Sequence, residues 1–331
     1  MHASRVGQEE EVRRHRGTIR GMGLAEGVFE FERVDVRRCP VCGSETSRHA
    51  VFEKTMERTL PLTYLMCQDC GLVFQSPRMS DTARQAFYQS EYRRQIQGQE
   101  GPSAKDRWVQ ARRAEHLLVF AGSHLSGVKA HLDIGSSLGE LLLASRRRYG
   151  CEGLGIEPGE AYRRESQRRG VTAVADLADI GPEWGARFDL ATAIHVLEHL
   201  PHPVDYLRSL RETWLAPAAH LLVEVPNLFG HACLELAHPL AFTRQSLAST
   251  LEAAGFEVLT VKVHGRPYSR LLRPFVLVLA RARSEPQLFR PNSSGVMVTR
   301  ARRGLGMLTM RAARFASGML LRQSQREPWA G

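Results

Sequence analysis

At 331 residues, with 43% hydrophobic and 7% aromatic side chains, the chain has the makeup of a globular protein with room for two modest domains, and neither a fibrous nor a low-complexity character. No run approaches the roughly 18 consecutive apolar residues of a membrane helix, and the first eleven residues lack the apolar centre of a secretory signal, so a cytoplasmic location is expected. The net charge of +10 is carried mainly by arginine and gathers at the end of the chain, where Arg300 to Gly331 holds seven arginines against the single acid Glu327.

In chain order, residues 1–36 are mixed in charge and rich in glycine and arginine, and are expected to form an arm without order. Residues 37–80 carry Cys39-Pro-Val-Cys42-Gly43 and Cys67-Gln-Asp-Cys70-Gly71. Two Cys-x-x-Cys turns place four thiolates at the corners of a tetrahedron, the geometry Zn²⁺ prefers. The glycine after each second cysteine permits a tight turn that aims backbone amides at sulfur. A disulfide pair or a redox dithiol is the alternative, and it lacks the secretory or thioredoxin-like context. A closed site of Cys39, Cys42, Cys67 and Cys70 has no open position, so its Zn²⁺ is expected to be structural. Cys151 and Cys233 stand alone and read as buried small apolar residues. Residues 81–127 form a helical linker or lid with Tyr88 and Tyr92, which could close over a substrate.

From 128 to 283 short apolar strands alternate with helical segments. Strands are expected near 131–134, 153–156, 171–174, 188–194, 220–225 and after Phe256, with helices at 140–148, 160–169, 203–215 and 244–254. This spacing predicts a parallel sheet covered on both faces, whose ligands lie beyond the carboxyl ends of the strands. At those ends stand Leu132-Asp133-Ile134-Gly135-Ser-Ser137-Leu-Gly139, then Glu157, Asp176 and His195-Val-Leu-Glu198-His199. Glycines at a strand-to-helix turn let a backbone approach a ligand closely, and an acid ending the second strand can accept from both hydroxyls of a ribose.

Residues 128–282 resemble a class I S-adenosylmethionine-dependent methyltransferase. The resemblance rests on the Asp133–Gly139 loop, Glu157, the Ala175-Asp176-Leu177 turn, the Val196-Leu197-Glu198-His199-Leu200 block and Ala254-Gly255-Phe256. Phe275–Ala280 would be the family's antiparallel seventh strand. The implied fold is α/β, a Rossmann-like seven-stranded methyltransferase sheet with a small N-terminal zinc-binding module. The resemblance implies that Asp133, Gly135, Ser137 and Gly139 cradle the methionine end of S-adenosyl-L-methionine, Glu157 the ribose and Asp176 the adenine, with the backbone of His195 close by. Ser137 departs from the family, which has glycine there. An NAD enzyme would share Gly135, Gly139 and Glu157 but not the Val-Leu-Glu-His block. Residues 37–95, through Gly71-Leu-Val-Phe-Gln-Ser-Pro77-Arg78 and Phe87-Tyr88-Gln-Ser-Glu-Tyr92, resemble methyltransferases carrying an N-terminal zinc module, among them deoxysugar C-methyltransferases and enzymes of natural-product and surface-polysaccharide clusters.

Methyl transfer from a sulfonium is an in-line displacement, so the acceptor must be positioned and, in most cases, deprotonated. His238 is the expected base, because the sugar C-methyltransferases carry Tyr-x-Glu-His where this chain has Glu235-Leu-Ala-His238. Loss of the tyrosine and adjoining glutamate weighs against sugar C-methylation in particular. His199 and Tyr92 complete the expected catalytic set, and Glu224 and Asn227 flank the fifth strand. The expected reaction is O- or C-methylation of a small-molecule or sugar-like acceptor. An RNA methyltransferase gripping nucleic acid with the zinc module and basic tail is the alternative. Against it, strand four ends without an Asn/Asp-Pro-Pro-aromatic turn or a cysteine following a proline, and few aromatic residues interleave the tail. A non-catalytic scaffold is a further alternative. In the extension 284–331, Leu305, Leu308, Ala312, Phe315 and Met319 recur at helical spacing among arginines. Such a helix lies on an anionic membrane or a partner, or docks on its own catalytic domain.

Overall fold

The computed structural model describes residues 14–20, 28–57, 59–90, 102–269, 271–283 and 292–324. A seven-stranded sheet forms the centre. Its parallel part runs β9 (Thr172–Val174), β8 (Glu152–Ile156), β7 (Ala130–Ile134), β10 (Phe188–Ile194) and β11 (Leu215–Pro226), and β14 (Phe275–Ala282) then pairs antiparallel with both β11 and the edge strand β13 (Phe256–His264). The inner strands are covered on both faces, which is why they read as apolar runs without alternation. Phe188, Leu190, Ala191, Leu221, Leu222, Val223, Val276 and Val278 have no exposure at all. The helices α3 (Glu140–Tyr149), α4 (Glu160–Arg168), α5 (Pro203–Thr213) and α6 (Arg244–Ala253) follow the strands as the sequence pattern requires. Strand order reverses between β7 and β10, and the crevice at that point is where such a sheet binds ligands. The expected seven-stranded α/β fold is thus present, including its antiparallel strand.

The N-terminal part is joined to this sheet more closely than separate domains would be. β3 (His49–Glu57), β4 (Leu60–Cys67) and β5 (Val73–Gln75) form a meander whose fourth strand, β12 (Leu240–Ala241), comes from beyond β11. Leu72 and Phe74 share one apolar cluster with Leu240, Phe242 and Leu247, while Tyr64 and Met66 share another with Leu236 and Ala237. The 1–36 arm, expected without order, contains β1 (Arg14–Arg20) and β2 (Val28–Val34), which pair with each other and, through β2, with β6 (Arg78–Met79). Long-range pairing with β6 supplies order that local composition does not suggest. Helix α1 (Asp81–Ser90) and helix α2 (Ala104–Ala121) follow, the latter opened by a capping box of Ser103 and Asp106.

The last helix, α7 (Val296–Ser324), docks on the body of its own chain. Arg303 is 8% exposed; its guanidinium donates to Glu53 (2.8 Å) and to the carbonyl of Leu228 (2.5 Å), tying the N-terminal meander to the loop after β11. Arg300 donates to the carbonyls of Phe52 (2.7 Å) and Val51. Gly306 meets the Phe229 carbonyl so closely that a Cβ would lie 1.8 Å from its oxygen. The docked face therefore runs through Thr299, Arg303, Gly306 and Met310. Leu305 and Leu308, expected on the apolar face, point outward and are 66% and 61% exposed. Among the described residues no helix is long and apolar enough to cross a membrane.

Candidate active site

One side of the crevice, where the sequence reading expects the cofactor, is built by a single turn. β7 ends at Ile134 and the chain reverses through Gly135 (φ +71°), Ser137 (φ +49°) and Gly139 (φ +71°) into α3. A Cβ at Gly135 would lie 2.8 Å from Val196 Cγ2 and one at Gly139 2.7 Å from Val171 Cγ2, so both positions need glycine for space as well as for backbone. Ser137 occupies the left-handed region despite its side chain, at a cost of about 1–2 kcal/mol. Its hydroxyl accepts from Gln110 Nε2 at 3.0 Å and its backbone NH donates to Glu157 Oε2 at 3.0 Å, which offset that strain and tether α2 to the loop. Glu157 Oε1 also accepts from the Gly159 NH at 2.7 Å, so the acid after β8 faces the loop.

Asp133 lies beneath the turn, 3% exposed. It accepts from the Thr192 hydroxyl at 2.5 Å, and Thr192 Oγ1 in turn is 2.9 Å from His131 Nε2. Burial holds His131 neutral, with its pKa lowered to about 3, so Nε2 must carry the proton and donate. Burial also raises the Asp133 carboxyl to about 7, the Thr192 hydroxyl opposing it. Such a carboxyl becomes a stable anion once a cationic ligand group is near. Asp176 is exposed and caps the turn after β9 by accepting from the Ala178 NH at 3.0 Å.

The other side, where the sequence reading expects the acceptor, is built from distant pieces. His195 (φ +57°), at the end of β10, places its ring between Glu198 Oε1 (Nδ1, 3.2 Å) and Glu224 Oε1 (Nε2, 3.0 Å). With a carboxylate on each nitrogen both must be protonated. Burial and Arg113 oppose the charge, but the two glutamates prevail and the pKa is raised. Glu224, fully buried at the end of β11, is also approached by Arg113 Nε (3.3 Å) and His264 Nε2 (3.0 Å), which hold it ionised against its burial. Glu198 is likewise held down to about 2 by His195 and the other histidines, although burial alone would raise it.

Beside Glu198 stand His199 and His238, ring centroids 4.7 Å apart. His199 Nδ1 faces the Ala237 carbonyl (2.9 Å) and the Tyr88 hydroxyl (2.6 Å), and Tyr88 itself donates to Ala237 O at 3.0 Å. His238 is 6% exposed, with Nδ1 3.2 Å from the Cys233 carbonyl and Nε2 3.2 Å from Glu235 Oε1. Burial lowers both imidazoles, His199 to about 4, and raises Glu235 to about 7. The His238 loop is held from the N-terminal meander. The Tyr64 hydroxyl sits 2.7 Å from the Glu235 carbonyl and 2.9 Å from that of His238, Glu57 accepts from the Leu236 NH at 2.5 Å, and the Gln75 NH donates to Pro239 O at 2.8 Å.

The structure thus brings His195, His199 and His238 together with Glu198, Glu224 and Tyr88. Tyr92, the third expected catalytic residue, lies outside the described residues. Asn227 is turned away, binding the carbonyl of Arg273. Arg113 and His264 have no counterpart in the sequence reading, whereas Glu198 stands there as part of the Glu198-His199 pair and Tyr88 as a linker residue able to close over a substrate.

The four cysteines converge as the knuckle spacing requires. Cys39 and Cys70 sulfurs lie 3.5 Å apart, as do Cys42 and Cys67, and all four lie within 4.8 Å of one another. A disulfide needs about 2.05 Å, whereas four thiolates around zinc at about 2.3 Å stand roughly 3.8 Å apart. Gly43 and Gly71, both at positive φ, donate their NH groups to the Cys39 and Cys67 carbonyls at 2.9 Å to close the two knuckles. The donor set fits a closed tetrahedral metal. Cys151 and Cys233 are buried, 4% and 1% exposed.

Residues 106–261 match the sequence model of a family described as a methyltransferase domain. No curated protein matches the sequence. Among solved structures, the 1,6-didemethyltoxoflavin N1-methyltransferase of Burkholderia thailandensis, with 1,6-didemethyltoxoflavin and S-adenosylhomocysteine bound, is 18% identical over 70% of this chain and 100% of its own, at a TM-score of 0.51. A Mesorhizobium loti S-adenosylmethionine-dependent methyltransferase is 18% identical (51% and 97% covered, TM-score 0.41), and one from Methanosarcina mazei is 16% identical (50% and 98%, TM-score 0.42). At 18% identity the likeness to the Burkholderia enzyme speaks to the fold alone. Residues 106–261 thus carry a methyltransferase domain, with the glycine turn and the strand order of a methyltransferase-like sheet, preceded in the chain by a four-cysteine cluster.

Proposed function

We propose that the protein transfers the methyl group of S-adenosyl-L-methionine to a small-molecule or sugar-like acceptor, by O- or C-methylation, and that Cys39, Cys42, Cys67 and Cys70 hold a structural Zn²⁺. The observation that carries this reading is the convergence of His199, His238 and Glu198 beside the cofactor crevice, on a loop clamped by Tyr64 and Tyr88. Asp133 and the Gly135–Gly139 turn receive the methionine end, where the ligand's positive charge stabilises the Asp133 carboxylate. Glu157 receives the ribose and the turn at Asp176 the adenine. The His195 backbone would approach the cofactor, and its ring holds Glu198 and Glu224 in place. Acceptor deprotonation falls to the neutral His199–His238 pair, aided by Tyr92, and the acceptor then attacks the methyl carbon in line with the departing sulfur. Zinc in the tetrad would fix the start of β5 and the end of β4, and through them the clamp on the His238 loop.

Calorimetric titration with S-adenosylmethionine, S-adenosylhomocysteine and NAD⁺ tests the cofactor. Micromolar binding of the two sulfur ligands, with none of NAD⁺, is expected. A folded, zinc-loaded sample that binds neither sulfur ligand overturns the reading.

A further inference from the structure

Glu198 presents an unusual combination. Its carboxyl group is 2% exposed, yet Oε2 has no hydrogen-bond partner among the described residues, while Oε1 is fixed by His195. A buried carboxylate oxygen left without a donor is costly, because it has given up its hydration for nothing in return. The donor atoms of Glu198, His199 and His238 all lie within 4.8 Å of one another.

The two imidazoles are oriented alike. Each turns Nδ1 toward a backbone carbonyl, His199 toward Ala237 at 2.9 Å and His238 toward Cys233 at 3.2 Å. A carbonyl only accepts, so Nδ1 carries the proton in both rings and Nε2 of each neutral imidazole would carry the lone pair, met in His238 by the Glu235 carboxyl as donor at 3.2 Å. That is the arrangement by which proteins prepare histidine as a metal ligand. The carboxylate has the matching outer support, since His195 and, behind it, Glu224 and Arg113 hold Glu198 in its orientation.

We infer that Glu198, His199 and His238 form a binding site for one first-row divalent cation. The inference rests on the proposed reading of this pocket as the acceptor side and deepens it, because two imidazoles and one carboxylate leave coordination positions open for oxygens of the acceptor. Two nitrogens and one oxygen suit manganese, iron, cobalt or zinc better than calcium or magnesium. With bonds of about 2.1 Å the donors must stand about 3–4 Å apart, a closure within reach of side-chain rotation from the present separations. Glu235, 38% exposed with Oε1 3.2 Å from His238 Nε2, turns toward solvent or becomes a fourth ligand. The cation supplies the partner that Oε2 lacks. It also gives the histidine pair its role in deprotonation, since an acceptor hydroxyl bound to it loses its proton near neutral pH.

Mn²⁺ is the probe, because the thiolate tetrad favours softer metals. The zinc-loaded protein is titrated with Mn²⁺ while the electron paramagnetic resonance of the free ion is followed, and the bound ion is examined for nitrogen-14 modulation. One Mn²⁺ per chain with coupling to imidazole nitrogen is expected. Glu198→Gln and His238→Ala should each weaken uptake at least 10-fold. No stoichiometric uptake, oxygen-only coordination in the wild-type protein, or undiminished uptake in both folded variants overturns the site. Titration of the same wild-type sample with S-adenosylhomocysteine reads the cofactor side separately, so failure of the metal site and failure of the methyltransferase reading are distinguishable.

Discussion

The two sides of the crevice are made by opposite strategies. The cofactor side is a local turn, with Asp133, Gly135, Ser137 and Gly139 all within one strand-to-helix junction. The acceptor side joins residues that sequence keeps far apart: Tyr88 lies 111 positions from His199, Tyr64 174 from His238, and Glu57 179 from Leu236. A local site tolerates changes elsewhere in the chain. A site assembled across the chain depends on every element that brings its pieces together, so damage to the N-terminal meander should reach the acceptor side and spare the cofactor side.

Cys42→Ser puts the greatest strain on this contrast. If the tetrad holds zinc, loss of one ligand should release the metal and destabilise the N-terminal meander by several kcal/mol, given about 10–16 kcal/mol for structural zinc in small modules. Metal analysis and thermal melting read this; a metal-free protein with unchanged melting would refute it. Gly139→Ala strikes the other side. With φ at +71° and Val171 Cγ2 at 2.7 Å from the new methyl group, S-adenosylhomocysteine affinity should fall at least 10-fold in calorimetry while Mn²⁺ uptake persists.

Tyr64→Phe sharpens the comparison. It strips the hydroxyl that sits between the Glu235 and His238 carbonyls, costing about 1–3 kcal/mol for the polar groups left behind. Turnover of a methyl acceptor should drop, and cofactor affinity should hold within a factor of two; equal loss of both would show that the clamp is not specific to the acceptor side.

Asp133 gives a pH signature. Its folded pKa, about 7, lies above the unfolded value, so the native state binds the extra proton. Its contribution is therefore fully present below about pH 4 and is lost as pH rises through 7. Asp133→Asn should flatten that part of the unfolding profile measured by denaturant titration, and an unchanged slope would exclude Asp133 as its source. The smallest effect is expected for Ser137→Gly, which exchanges relief of a left-handed serine for loss of the Gln110 hydrogen bond and should leave cofactor affinity within a few-fold.

The same contrast explains what the sequence discloses. Strands, helices and the glycine turn follow from local periodicity and from φ, and all lie near their expected positions. The four cysteines are legible because knuckle spacing dictates their convergence. Tyr64, Arg113 and His264 are not legible, since nothing within a few residues of any of them differs from an ordinary strand or helix. Their roles arise from strand pairing and helix packing. β1 and β2 escaped for the same reason, because their order comes from β6. The exposed Leu305 and Leu308 show the converse: an apolar periodicity identified a helix correctly and its buried face wrongly, because Arg303 and Gly306 fit the available groove better than leucine.

The two-residue strand β12 has a consequence for anyone recombining this chain with another. Because Leu240–Ala241 completes a sheet begun at His49, the catalytic half cannot be cut out at residue 128 and remain whole. A chimera meant to transplant acceptor preference would have to carry residues 49–79 and 233–242 as one exchangeable unit, leaving the cofactor turn to its host.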